Sequence, residues 1–285
     1  MRILLDAKDL IDPVEYDRPI PLAEVKSWIE RRSARVVLGF ANVNDFVGPV
    51  FERGDFLNMR TLLQRLETLP IIYIREGLII RDELKAAQAA FEVQKEPVSI
   101  DPYVSRWDET AYWEGESAAK ILVGLRLDEI VYMARNTIQN YKRYAAGLKA
   151  QIQAERALPA ADKLKTKDIF INGLPGKLAI HRIDSGQADL PGFGRWLWSN
   201  PLRALGHRIH FEAYHQLLMG KSMPVQDGDI ADFTLMPAIP YVDRITVDNR
   251  IGDILRKVFQ QLRRRNAYAD LSARVFTRLV DLFAE

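Results

Sequence analysis

The sequence contains no cysteine, which excludes disulfide bridges, thiolate metal sites and a thiol nucleophile. Histidine is scarce, and its four copies lie outside the acidic segments described below, which argues against a soft-metal site. These four are His181, His207, His210 and His215. No apolar run is long enough to cross a bilayer, and the N-terminal run is too short for a secretory signal. We therefore expect a cytoplasmic protein with no membrane partner.

A strong excess of either charge is also missing. The net charge is +2, which does not by itself predict binding to nucleic acid. The basic residues are nevertheless clustered, most clearly in the triplet Arg263, Arg264 and Arg265. Such a triplet could bind substrate phosphates, and it is equally consistent with a solvated helix face.

The first six residues carry the clearest local signal. Ile3, Leu4 and Leu5 show no polar alternation, which favours a parallel strand buried on both faces, and Asp6 follows directly. In open α/β sheets, ligands bind beyond the carboxyl ends of such strands, so Asp6 is a candidate site residue. Asp also serves as a cap or strand-stop residue, and Asp6 alone does not distinguish the two roles. Farther on, the Asp12–Pro13 pair predicts a turn.

More acids occupy equivalent places near the other end of the chain. Asp229 follows Gly228 and is expected to open a helix, with Asp232 on the same face by helical spacing. Residues 242–247 read as a β-branched strand that ends just before Asp248.

A further candidate comes after a second predicted strand, residues 35–41. Asp45 falls in the first turn beyond that strand, although Asn44 could take its place and a cap role suits either residue. Carboxylates that converge at strand ends repel one another unless a cation neutralises them. The hard cations Mg²⁺ and Mn²⁺ prefer oxygen ligands and support phosphodiester hydrolysis.

These segments, in this order, resemble the PIN-domain nucleases. MRILLDAKDLI is similar to the first strand and metal-binding Asp of that family, and VVLGFANVNDF to its second strand and acid. GDIADFTLMPAIPYVDRITVD resembles the region that carries the third and fourth acids. The resemblance covers residues 1–94 and 221–285, and it implies a mostly parallel central sheet flanked by helices.

Carried over position by position, the resemblance implies that Asp6, Asp45, Asp229 and Asp248 are catalytic. It implies that Mg²⁺ or Mn²⁺ is bound by Asp6, Asp229, Asp232 and Asp248, with Asp232 as an extra or alternative ligand. Thr246 matches the hydroxyl residue before the last acid and, with the Arg triplet, is a candidate substrate-binding residue. Asp stands where the family usually has Glu at the second position, so its reach is shorter.

The middle of the chain has a different pattern of predicted secondary structure. Residues 95–220 read as a mainly helical insertion that either packs on the sheet or forms a cap, and residues 169–176 read as a turn-rich connector. The aromatic residues Tyr103 and Trp107 could stack on bases but are more often buried. His207 and His210 share a helix face, for which metal binding, phosphate contact and simple packing are the alternatives.

Two functions from different classes remain. The first is a Mg²⁺- or Mn²⁺-dependent endoribonuclease, with DNA as an alternative substrate and a toxin or defence role implied by the resemblance. That resemblance also implies an inhibitory or regulatory protein partner and a homodimer. The second is a catalytically inactive PIN-like scaffold that binds RNA or protein and keeps its acids as helix caps.

Overall fold

The structure is an α/β fold built on one six-stranded sheet. The computed structural model describes residues 1–39, 41–42, 56–104, 143, 146–158, 165–184, 189–219, 229–264 and 271–284. The strands are β1 (Arg2–Leu4), β2 (Arg35–Leu38), β3 (Ile71–Ile74), β4 (Tyr103–Val104), β5 (Arg244–Thr246) and β6 (Val275–Phe276), in the spatial order β4-β3-β2-β1-β5-β6. All neighbouring strands pair in parallel except β3 and β4. The expected mostly parallel α/β sheet is therefore confirmed.

Helices surround this sheet. They are α1 (Ala7–Tyr16), α2 (Leu22–Arg31), α3 (Phe56–Leu66), α4 (Glu76–Glu92), α5 (Thr166–Ile180), α6 (Leu190–Ser199), α7 (Leu205–Met219), α8 (Asp229–Leu235), α9 (Asn249–Arg264) and α10 (Leu279–Ala284). Residues 146–157 are also helical, and 3₁₀ turns cover Pro201–Ala204, Met236–Tyr241 and Leu271–Arg274. Within the described residues, no helix combines the length and apolarity needed to cross a membrane.

The central strands are buried on both faces because successive side chains point to opposite sides of the sheet. Ile3 and Val36 pack into one hydrophobic cluster together with residues of α1 and α2. Leu4 and Val37 pack into the cluster on the other face, together with residues of α7 and α9. The unbroken apolar run at the N-terminus follows from this two-sided burial.

The segment expected to be an insertion contributes to this core. Its strand β4 pairs with β3 at the edge of the sheet, so the segment is not helical throughout. Ile209, Ala213 and Leu217 of α7 lie in the same hydrophobic cluster as Leu4. Helices α5 and α6 pack against α4 through a separate cluster that includes Phe170. The segment thus covers one face of the sheet.

Two local predictions were wrong for the same reason. Residues 169–176 form part of α5 instead of a turn-rich connector, although they contain Gly173, Pro175 and Gly176. The buried side chains of Phe170, Leu174 and Leu178 are spaced four residues apart, and their burial outweighs the poor helix propensity. Likewise, the Asp12–Pro13 pair lies inside α1.

Some predictions fall outside the described part of the chain. These are residues 105–142 of the predicted helical insertion, which include Trp107, and the residues Asn44, Asp45 and Arg265.

Candidate functional site

The carboxyl ends of β1 and β5 form the candidate site. β1 lies between β2 and β5. The chain passes from β1 to β2 on one side of it, and it reaches β5 on the other side only after residue 243. A crevice opens where the strand order reverses in this way, and it is the usual ligand position in open α/β sheets. Leu4 pairs with Ile245 in register, so Asp6 and Asp248 emerge at the same edge. The sequence prediction that these two acids meet is in agreement with this geometry.

Thr246 joins the two strand ends. Its hydroxyl oxygen accepts a hydrogen bond from the Asp6 amide at 2.9 Å, and the hydroxyl donates to the carboxylate of Asp9. The side chain is only 2% exposed. The Thr246 hydroxyl is thus already engaged in two hydrogen bonds within the protein. The structure places Thr246 as a link between β5 and the residues that follow β1, and its contact with substrate stays a prediction.

The carboxylate of Asp6 lies in an environment that disfavours its charge. Burial, together with the nearby charges of Asp9 and Asp248, raises its pKa to about 6 against the lowering effect of the Ala7 and Lys8 amides. Among the described residues, the groups that lower this pKa are backbone amides and no cationic side chain. Negative charge therefore accumulates at Asp6 without a cationic side chain from this part of the chain to balance it.

Asp248 has a second role that the geometry makes plain. Its carboxylate accepts a hydrogen bond from the Ile251 amide at 2.6 Å, and its carbonyl accepts one from the Gly252 amide at 2.9 Å. It is therefore the N-cap of α9. The side chain remains exposed, so the cap does not remove the carboxylate from the crevice.

Asp232 approaches the site from α8. It lines a narrow cavity of about 20 Å³ together with Asp6 and Thr246. This volume is close to the space that one water molecule needs, so the cavity has the dimensions of a single small ion or water. Asp229 opens α8, as predicted, but its side chain lies outside the described part of the structure. Asp45 also lies outside it.

The predicted basic rim is not beside these acids. Arg263 and Arg264 lie in the last turn of α9, at the opposite end of the helix from Asp248. A helix rises about 1.5 Å per residue, which separates the two ends by about 24 Å. The two arginines are exposed there, so they do not lie beside the acids, and their contact with substrate phosphates farther along a nucleic-acid chain stays a prediction.

Three polar residues at the strand ends were missed. Asp9 lies one helical turn after Asp6, in α1, and no role in the site was predicted for it from the sequence. Asn42 accepts from the Gly39 amide and donates to the Leu5 carbonyl, and Glu76 accepts from the Ala41 amide at 2.8 Å. The signal for Glu76 was present, because it follows β3 closely, as Asp6 follows β1.

The small cavity offers a hard divalent cation the carboxylates of Asp6 and Asp232 and the hydroxyl of Thr246, and its other lining residues are apolar. Within the described residues, no group of three or more His, Asp or Glu side chains is arranged to hold a metal ion. Mg²⁺ is usually held by one or two carboxylates, with water and substrate oxygens completing its shell. A cation beside Asp6 would offset the charges of Asp9 and Asp248 that help to raise its pKa.

Neither a family model, nor a curated protein, nor a solved structure matches this chain.

Proposed function

We propose that the chain is a Mg²⁺- or Mn²⁺-dependent nuclease that cleaves phosphodiester bonds of RNA in the crevice between β1 and β5. The observation that carries this proposal is the convergence of Asp6 and Asp248 from opposite ends of the sequence at the point where the strand order reverses. Chemistry at this position is the usual arrangement in open α/β sheets.

Each residue has a distinct task in this proposal. Asp6 and Asp232 hold the cation, and Asp248 adds negative charge at the same edge. Thr246 and Asp9 keep the two strand ends at a constant separation through the shared hydroxyl. The cation, when bound, supplies the positive charge that activates water and stabilises the leaving oxygen.

The choice of RNA, and a toxin or defence role, rest on the resemblance of residues 1–94 and 221–285 to PIN-domain nucleases. The sheet supports the same comparison, since its five parallel strands put the ends of β1 and β5 side by side. The inhibitory protein partner and the homodimer are proposals that rest on the same resemblance.

A noncatalytic scaffold is the second candidate, and one observation favours it. Asp248 caps α9 through the Ile251 amide, so its presence has a structural explanation that needs no metal. If this were its whole role, the carboxylate charge would be unimportant and only the capping oxygen would matter.

A pair of substitutions at Asp248 distinguishes the two candidate functions. Asp248→Asn keeps a capping oxygen and removes the charge, whereas Asp248→Ala removes both. The nuclease proposal expects that Asp248→Asn loses cleavage of 5′-labelled single-stranded RNA with Mn²⁺ while its stability stays near wild type. Asp248→Ala should lose activity and also about 1 kcal/mol of stability. DNA of the same sequence is the second substrate, and EDTA is the metal-free control.

Asp253→Asn is the matched control variant. Asp253 lies on the same helix, pairs with Arg256 at 2.5 Å and is exposed, so the same chemical change there should leave cleavage intact. Full activity of Asp6→Asn and Asp248→Asn would refute the nuclease proposal. So would wild-type protein that binds RNA but neither cleaves it nor gains thermal stability with Mn²⁺, which is the result that the scaffold requires.

A further inference from the structure

A second and much larger cavity lies away from the acidic site. It has a volume of about 770 Å³ and is enclosed by α5, α7, α8 and the helical residues 143 and 146–151. Sites for small organic molecules usually fall between about 300 and 1,000 Å³. The proposed nuclease chemistry makes no use of this space.

The walls of this cavity are apolar and aromatic. Four rings line it, from Phe170, Phe211, Tyr214 and Phe233, together with aliphatic side chains such as Leu174 and Leu218. Such walls bind the apolar body of a ligand, and a few polar groups then determine its orientation and chemistry.

The polar groups are all basic or neutral. Arg143, Lys177, His207, His210 and His215 line the cavity, and no acidic residue is found among the described lining residues. Arg208 belongs to the same helix as the histidines but is paired with Glu212 at 2.9 Å, so it is already neutralised. The cavity is therefore complementary to a negatively charged group.

Two imidazoles give independent support for a ligand. The Nδ1 atoms of His207 and His210 are buried and have no hydrogen-bond partner among the described residues. His207 packs against the Phe170 ring at 5.2 Å, and His210 against the Phe233 ring at 6.3 Å. Burial of a polar atom without a partner costs about 1–3 kcal/mol, and both residues line the cavity, so a ligand that either imidazole turns to meet would offset that cost.

The electrostatics around Lys177 point the same way. Burial lowers the pKa of the Lys177 ammonium. Burial and then the Lys177 charge also lower the pKa of His210, to about 3, and of His207. Burial and the Lys177 charge thus keep both imidazoles neutral near pH 7, so they can donate hydrogen bonds, while the buried Lys177 ammonium would be stabilised by an anion beside it.

Glycines help to create the space. Gly147, Gly173 and Gly176 line the cavity, and a Cβ atom added at any of them would meet no atom within 4 Å. Glycine in a helix costs about 1 kcal/mol relative to alanine. Small residues on two facing helical segments thus leave room that larger side chains would occupy.

We propose that this cavity binds a small amphipathic organic anion, with its apolar body against the aromatic rings and its anionic head beside Lys177, His207 and His210. The proposal concerns a different part of the molecule from the acidic site and does not depend on the nuclease activity.

Isothermal titration of the full chain with three ten-carbon probes tests the chemistry. Decanoate and decyl phosphate carry different anionic heads, and decanol is the neutral control of the same length. At least one of the two anions should bind at least tenfold more tightly than decanol, and the tighter anion identifies the head group. Equal binding of decanol would overturn the role of charge, and no binding of any probe would overturn the proposal.

Two variants with a matched control locate the site. Lys177→Met keeps the apolar stem without the charge and should weaken anion binding at least tenfold. Lys167→Met makes the same change at an exposed position of α5 and should have no effect. Gly173→Leu should abolish binding by filling the cavity, with circular dichroism and thermal stability unchanged or improved. Wild-type affinity in either Lys177→Met or Gly173→Leu would place the ligand elsewhere and refute the proposal.

Discussion

Replacing Asp6 by Asn should make the metal-free protein more stable, which is an unusual outcome for a half-buried polar residue. The pKa of the Asp6 carboxyl is raised from 3.8 to about 6 by burial and by the charges of Asp9 and Asp248. Each unit of pKa corresponds to about 1.4 kcal/mol, so ionisation of Asp6 at pH 8 costs the fold about 3 kcal/mol. Asn mimics the protonated form and avoids that cost.

The sign of the pH dependence follows from proton binding. Between pH 3.8 and about 6, the folded protein binds the Asp6 proton more tightly than the unfolded chain does. The contribution of Asp6 is therefore most favourable below pH 3.8 and is lost as the pH rises through about 6. The advantage of Asp6→Asn should be about 3 kcal/mol at pH 8 and about 1 kcal/mol at pH 4.5, measured by urea denaturation in EDTA.

Metal should cancel most of this difference. Mn²⁺ at about a hundredfold above its dissociation constant should stabilise the wild-type protein at pH 8 by about 2.7 kcal/mol and Asp6→Asn much less. Asp253→Asn should behave as wild type in both conditions. The reasoning is refuted if Asp6→Asn is the less stable protein at pH 8 in EDTA, or if Mn²⁺ stabilises both proteins equally.

Three other predictions concern the surroundings of the site. Thr246→Val should lower the free energy of unfolding by about 1–3 kcal/mol in urea denaturation, since the Asp6 amide loses its acceptor. Thr246→Ser should stay near wild type. Equal losses in the two variants would show that packing matters instead. Burial raises the pKa of the Glu83 carboxyl in α4 to about 7, so the stability of the wild-type protein should fall as the pH rises from 4.5 to 7. Glu83→Gln should reduce that fall by about 3 kcal/mol. An unchanged dependence of stability on pH would contradict the assignment. The double substitution of Arg263 and Arg264 by Gln should leave kcat for a short RNA unchanged, because about 24 Å separates them from Asp248; a tenfold loss would contradict this separation.

The core of the candidate site was predictable because its signals are local. An unbroken apolar run predicts the buried strand before Asp6, and a run rich in β-branched residues predicts the strand before Asp248. The order of the strands then brings the two acids to one edge. The same rule would have found Glu76 after β3, had it been applied to every strand. Asp9 was missed because the nearby Asp12–Pro13 pair resembles a turn, and α1 accommodates that proline.

The larger cavity was not predictable from any single segment. Helical spacing does place His207 and His210 on one face, and that much was inferred. The space before them depends on α5, where Gly173 and Gly176 read locally as helix breakers. Their meaning emerges only when burial of Phe170 and Leu174 holds the segment helical, which is a tertiary effect.

Helix α8 connects the two cavities. Asp232 lines the small acidic cavity, and the next two residues, Phe233 and Thr234, line the large one. A displacement of this seven-residue helix would move the walls of both cavities together. If binding of the proposed anion displaces α8, it should change the affinity of the acidic site for the proposed cation. By linkage, the cation changes the affinity for the anion by the same factor.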